Sequence, residues 1–304
     1  MTRVLVTGAS GFLGSRLSDA LLARGDEVVG LSRDPERARG SNPTVRWHGW
    51  NATAERPPGA AFEGVDAVIN LIGEPIDQRW TAEAKQRIRD SRERATKNLV
   101  DALSAADPRP PKLVSQSAVG YYGDRSDAIV DESTPAGSSF DAAVCVAWEA
   151  AARAGEDIGM RVAVVRTGLP LDARAGLLKQ LLPPFRLGLG GPIAGGRQYM
   201  PWIHVDDWAR LALWVLDGDN RAGAYNGTAP NPATNAELSK TLGRVLGRPA
   251  VMPIPKLAMK VRFGGELGEV VAGGQRAVPR RALDDGFEFA YPDLEPALRD
   301  LLAR

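Results

Sequence analysis

Cysteine is almost missing from this chain. Cys145 stands alone among 304 residues, so no intrachain disulfide forms and a secreted, oxidised framework is not indicated. Histidine is nearly as scarce: His48 and His204 lie far apart without cysteine partners, and no metal is expected. Neither charge is in excess, because 38 Lys and Arg stand against 37 Asp and Glu. No long basic run breaks that balance, so nucleic acid and anionic membrane are not expected partners. Met1-Thr2-Arg3 runs straight into Val4-Leu5-Val6, and no apolar stretch is long enough for a signal region or a membrane span. The expectation is a soluble, cytoplasmic protein. Aromatic residues make up only 6%, yet 44% of the chain is hydrophobic, enough at this length for a sizeable core. Disorder, collagen and coiled coil are thereby excluded.

What is present alternates. Short β-branched runs at 3–7, 27–31, 45–48, 67–71, 112–117 and 161–166 are separated by helical patterns, which predicts a parallel sheet built from βαβ units. Leu13, Leu17 and Leu21 recur at i, i+4 and i+8, and Gly25 follows where a helix needs a left-handed residue to end. A single helix is expected over about 81–105, with Ile88, Ala95, Leu99 and Leu103 on its buried face. After Arg166, glycine and proline crowd 187–196 into a long structured loop, and helices return near 206–216 and 235–246. The predicted architecture is α/β. A Rossmann-type, doubly wound parallel sheet occupies 1–166 and is completed by parts of 197–230. A smaller α/β substrate lobe follows at 167–304, with a C-terminal module at about 250–300.

The strand Val4-Leu5-Val6-Thr7 leads into Gly8-Ala9-Ser10-Gly11-Phe12-Leu13-Gly14, a GxxGxxG turn opening a helix. In that setting Gly8 permits the tight turn, Gly11 lets the backbone approach a pyrophosphate, and Gly14 lets helix and strand pack closely. The plain alternative is a glycine-rich turn that binds nothing. Cofactor choice is read at the end of the second strand, where a carboxylate would accept hydrogen bonds from the adenosine ribose. This chain has Leu31-Ser32-Arg33 there. Ser32 and Arg33 suit a 2′-phosphate and favour NADP, unless Arg33 is a solvated surface charge. Asp34, one step later, either caps the next helix or contacts a ribose. Arg92 sits four residues beyond Ile88 on the buried stripe, where it needs an anion. A cofactor phosphate and a structural carboxylate satisfy that need equally.

These residues resemble the short-chain dehydrogenase/reductase superfamily, extended type, and within it the atypical epimerase-like branch often labelled nucleoside-diphosphate-sugar epimerase. The resemblance is carried further by Asn70-Leu71-Ile72-Gly73-Glu74-Pro75-Ile76, Ser91-Arg92 with Thr96, Ser117-Ala118-Val119-Gly120-Tyr121-Tyr122-Gly123, Trp148-Glu149-Ala150-Ala151, the 183–191 stretch and Trp202-Ile203-His204-Val205-Asp206-Asp207. Gly274-Gln275-Arg276-Ala277-Val278-Pro279-Arg280-Arg281 and Gly286-Phe287-Glu288-Phe289 resemble the small C-terminal module of that branch. The implied cofactor contacts are Gly8, Ser10, Gly11, Phe12, Leu13 and Gly14 in the loop, then Ser32, Arg33, Leu71, Ile72, Gly73, Arg92 and Leu169.

The chain departs from the superfamily at its centre. Members pair a Ser or Thr with Tyr-x-x-x-Lys, the Tyr moving a proton and the Lys lowering its pKa. Aligned through Glu149, the Tyr position falls on Asp141 and the Lys position on Cys145. Asp141, Cys145 and Glu149 share one helix face, with Val144, Trp148 and Ala151 expected toward the core. Ser117 matches the serine. Tyr121 is the remaining candidate for the proton, if it is not an aromatic wall of the pocket, and Tyr122 is expected to pack. Cys145 is read as a small packing group rather than a nucleophile. Asp206 is read as a helix N-cap, with His204 packed at the lobe interface. Two functions follow. One is an NADP-dependent oxidoreductase or epimerase acting on a small polar, sugar-like molecule. The alternative is a non-catalytic NADP(H)-binding sensor or regulatory protein.

Overall fold

Valine and isoleucine fill the strands because both faces of the sheet are covered. In the computed structural model, which describes residues 1–303, β1 (Arg3–Thr7), β2 (Glu27–Ser32), β3 (Arg46–Gly49), β4 (Ala67–Asn70), β5 (Lys112–Ala118), β6 (Arg161–Thr167) and β7 (Gly223–Gly227) form one sheet. Its order is β7-β6-β5-β4-β1-β2-β3, and every pairing is parallel. This is the doubly wound Rossmann-type α/β fold. The six runs read as strands fall within a residue or so of their observed bounds. Strand order reverses at β1, so a crevice opens between β1 and β4 at their carboxyl ends, where such sheets bind ligands.

Alternation sorts the core. Val4 and Val6 face one layer with Leu17 and Leu21 of α1 (Phe12–Ala23), together with Trp208 and Leu211. Leu5, Val68 and Leu113 face the other, with Leu99 and Leu103. A third cluster, with Leu178, Phe185, Trp202, Leu242 and Leu298, holds the second half together. Gly25 ends α1 with φ +86°. The last residue of the expected 167–304 lobe, Arg304, lies outside the described residues. Among the described residues no helix is long and apolar enough to cross a membrane.

Three local expectations need correction. The helix expected over 81–105 is two: α2 (Ala82–Asp90) and α3 (Glu93–Ser104). They break at Ser91, whose hydroxyl donates to the Ile88 carbonyl and accepts the Glu74 N–H at 2.9 Å, so the chain turns to hold the loop after β4. On α4 (Phe140–Arg153), Cys145 and Glu149 are buried as well as Val144 and Trp148, and Ala152 takes the core position expected of Ala151. At α5 (Val205–Asp217) the N-cap is His204, not Asp206. The His204 Nδ1 accepts the Asp206 N–H at 3.1 Å, its Nε2 lies 3.1 Å from Asp300, and its ring stacks on Tyr291. Asp206 is turned outward to Arg16.

Candidate functional site

Buried polar groups lock the strand ends that frame the crevice. Asn70, at the end of β4, accepts from the Thr7 hydroxyl at 2.7 Å and donates to Thr96 and Ser115. The Thr7 oxygen in turn accepts the Leu71 N–H. One asparagine thus ties β1, β4, β5 and α3 together.

The three glycines of the loop differ in what surrounds them. Gly8 has φ +66°, and a Cβ there would lie 3.0 Å from the Leu71 carbonyl oxygen. A Cβ on Gly14 would lie 2.0 Å from the Gly8 oxygen, so this glycine is required by helix–strand packing. Gly11 is exposed and extended, and a Cβ on it would meet only the Gly8 oxygen, at 3.1 Å. Its absent side chain keeps the outer face of the loop clear. α1 begins immediately afterwards with no acidic residue in its first turn and no side-chain cap, so its leading N–H groups remain available to an anion. Ser10 is exposed beside Gly11, while Phe12 and Leu13 are half-buried toward the third cluster.

At the end of β2, Asp34 caps the following short helix, its Oδ1 accepting the Arg37 N–H at 3.0 Å. Of its two readings, the cap is the one observed. The Ser32 hydroxyl is held by the Asp34 backbone, and Arg33 projects into solvent. A cation without a competing carboxylate therefore stands where a ribose-binding acid would be.

Arg92 sits at the break between α2 and α3. It donates to the Ile88 carbonyl, and its guanidinium lies 5.1 Å from the Trp148 ring centre, under Gly73. Among the described residues no carboxylate pairs with it. Burial depresses its pKa, against the pull of Cys145 and Glu74. The neighbouring Trp148 indole N–H is buried with no partner. A cation with no carboxylate beside it and an indole N–H with no acceptor fit a bound anion, and together with the glycine cradle they fit a dinucleotide.

The other half of the site is a closed network. The Ser117 hydroxyl, expected to face a reacting oxygen, is fully buried and donates to Glu149 at 2.8 Å. Arg166, at the end of β6, grips the same carboxylate through Nε at 2.8 Å and Nη2 at 3.0 Å. It also donates to the Tyr122 hydroxyl, which donates to Asn226 of β7 at 2.7 Å. Burial lowers the affinity of Arg166 for its proton, but the Glu149 hydrogen bond and charge more than reverse this and raise its pKa. Burial pushes the Tyr122 phenol up to about 12, so it packs as expected. Tyr121 is half-buried with the Arg166 guanidinium 3.5 Å from its ring centre. Cys145 is buried, and desolvation lifts its thiol to about 12. Leu169 lies just beyond β6, paired with Trp202.

Sequence reasoning missed Arg166 and Asn226. The signal was there in Arg166 itself, because a charged residue ending the apolar run Val162-Ala163-Val164-Val165 requires a buried partner. It also left unread the contact of Trp80 with Phe140, whose rings meet edge to face at 5.1 Å beside Lys85.

Residues 4–226 match the NAD dependent epimerase/dehydratase family, and residues 254–301 match a C-terminal domain of unknown function, DUF1731. The chain is 40% identical over 302 residues to the chloroplastic homologue of the epimerase family protein SDR39U1 from Arabidopsis thaliana, covering 98% of this chain and 86% of that one. It is 38% identical to the human SDR39U1 over 306 residues, 99% of this chain and all of that one. The crystal structure of human SDR39U1 (isoform 2) with NADPH superposes along the full length of both chains with a TM-score of 0.90 and 36% identity. A UDP-glucuronic acid 4-epimerase from Bacillus cereus, solved with UDP-glucuronic acid and NAD, shares the fold over 99% of each chain at a TM-score of 0.79 and 17% identity.

Proposed function

The chain belongs to the NAD dependent epimerase/dehydratase family, and from that premise we propose that it binds NADP(H) and acts as an oxidoreductase or epimerase on a small polar, sugar-like substrate. The observation that carries the cofactor choice is the end of β2, where Arg33 is free and Asp34 is consumed as a helix cap. The NADPH bound to human SDR39U1 supports it. Gly8, Ser10, Gly11, Phe12, Leu13 and Gly14 would hold the pyrophosphate. Ser32 and Arg33 would hold the 2′-phosphate. Leu71, Ile72, Gly73, Arg92 and Leu169 would line the remainder of the cofactor cleft. When bound, the cofactor supplies or accepts a hydride. The chain's own residues bind, orient and exclude water. In this reading Ser117 fixes the Glu149 carboxylate, which holds Arg166 against the Tyr121 ring, and Tyr121 walls the substrate side of the crevice.

Calorimetric titration with NADPH and NADH tests the choice. NADPH is expected to bind more tightly, and Arg33→Ala to weaken NADPH by about 1.5–3 kcal/mol while leaving NADH nearly unchanged. Equal affinities in the unmodified protein would sink the assignment. The second reading, a regulatory NADP(H) binder without turnover, is favoured by Cys145, whose inert thiol stands where the superfamily resemblance places a lysine. Single-turnover absorbance of bound NADPH with a panel of carbonyl compounds separates the two, since only the enzyme oxidises its cofactor.

A further inference from the structure

Resting on that cofactor reading, we propose that Asp141 is the group that gives and takes the substrate proton, which makes a secondary alcohol or its carbonyl the reacting function of the substrate. Asp141 lies in the first turn of α4, which faces the turn Val119–Tyr122 after β5 at the carboxyl edge of the sheet. Its Oδ2 rests on Gly120, so closely that a Cβ there would lie 2.8 Å from it. Its Oδ1 is buried without a hydrogen-bond partner. Native proteins rarely leave such an atom unmatched, and a carboxyl oxygen in that state is satisfied by a hydroxyl or a carbonyl brought to it.

Four other polar side chains near this edge are committed to the closed network. Ser117 and Arg166 are bound to Glu149, and the Tyr122 hydroxyl lies between Arg166 and Asn226. The Cys145 thiol is desolvated on the same helix. Charged neighbours reinforce a proton on Asp141. Burial raises its pKa above the ordinary value, outweighing the Ser139 hydroxyl and the N–H groups of Asp141 and Ala142, which lower it, and Glu266 from the helix Gly265–Ala272 adds to the rise. Lys85 of α2 pairs with Glu266 and lies over the Phe140 ring, so it offsets part of the Glu266 charge and leaves burial as the main cause. The charge of Arg92 acts on the Cys145 thiol.

The step balances. In reduction, the substrate carbon gains a hydride from the reduced cofactor as its C=O π bond breaks, and the oxygen takes the proton of the Asp141 carboxyl. An alcohol, the oxidised cofactor and a carboxylate result, and the carboxylate recovers its proton from water. Oxidation runs the same transfers in reverse.

The test uses NADP+ and NADPH alone, with no substrate. The oxidised ring is cationic and the reduced ring neutral, so an ionised Asp141 favours NADP+. Dissociation constants measured from about pH 4 upward, through the folded pKa of Asp141, are expected to show NADP+ gaining on NADPH by about tenfold. The 2′-phosphate is common to both and cancels in the ratio. Asp141→Asn is expected to bind both cofactors at a ratio independent of pH. A flat ratio in the unmodified protein, or the same drift in D141N, overturns the proposal while leaving cofactor binding intact. Failure to bind either cofactor overturns the cofactor reading and this proposal with it. Should D141N not fold, carboxyl 13C titration of the unmodified protein decides. An aspartate titrating above the ordinary range and moving down when NADP+ is added is expected, and its absence refutes the assignment.

Discussion

Removing Glu149 exposes what the buried network is worth. Its carboxylate accepts three hydrogen bonds, one from Ser117 and two from Arg166, and both members of the ion pair are about 95% shielded from solvent, with residue exposures of 5% and 4%. In Glu149→Ala the Arg166 guanidinium stays buried beneath the Tyr121 ring with its counter-charge gone. Breaking a buried pair on one side costs about 3–5 kcal/mol, because desolvation of the orphaned charge is no longer offset. A domain with a total stability of about 5–15 kcal/mol would lose a fifth or more of it. The double variant Glu149→Leu with Arg166→Met removes both charges and is expected to cost far less, since a hydrophobic replacement of the whole pair is often near neutral. Ser117→Ala should cost only about 1 kcal/mol, the worth of one hydrogen bond. Urea unfolding at pH 7 reads these proteins, and adding Glu149→Leu and Arg166→Met singly completes the cycle that isolates the coupling. If Glu149→Ala lost less than about 1 kcal/mol at an unchanged denaturant slope, the claim that Glu149 neutralises Arg166 would be wrong.

Other outcomes follow from particular atoms. Gly11→Val should abolish NADPH binding while circular dichroism stays unchanged, because Gly11 is extended and its missing side chain faces outward. Gly14→Ala should instead lower thermal stability, since its methyl would collide with the Gly8 carbonyl. Cys145, buried with its thiol held near 12, should react with a thiol reagent far more slowly than the unfolded protein does, and more slowly still with NADPH bound. Asp141 titrates above its ordinary 3.8 in the fold, so the unfolded chain releases that proton first as pH rises. The unmodified protein should therefore lose stability relative to Asp141→Asn from about pH 4 upward through the folded pKa, and regain parity in acid, as paired denaturation curves would show.

The fold was legible because strand and helix here obey separate rules. Val4-Leu5-Val6 is buried on both faces of the sheet, and a short apolar run bounded by turns announces that without tertiary information. Gly8, Gly14 and Gly25 mark places where only a glycine fits, for reasons of φ or clearance that act locally. The single helix expected over 81–105 shows where that logic stops. Ile88, Ala95, Leu99 and Leu103 keep their apolar spacing across the break at Ser91, and all four are buried. Periodicity therefore could not reveal it. What ends α2 is a hydroxyl committed to Glu74, seventeen residues back in the chain.

The site divides along the same line. The half proposed to hold the cofactor is built largely on local features: a turn, a helix start and the ends of adjacent strands, each readable from a few neighbouring residues. Its other half is made of side chains that meet only after folding. Ser117, Glu149, Arg166, Tyr122 and Asn226 come from β5, α4, β6, the turn after β5 and β7, and no spacing along the chain links them. Matching Ser117 to a reacting serine by its position was reasonable, but a strand side chain points to one face or the other, and this one points into the protein toward Glu149. Asp141 carries the converse lesson. Its identity looked like the loss of a tyrosine, whereas its placement, with one oxygen against Gly120 and the other left without a partner, gives that position a proton carrier of a different kind.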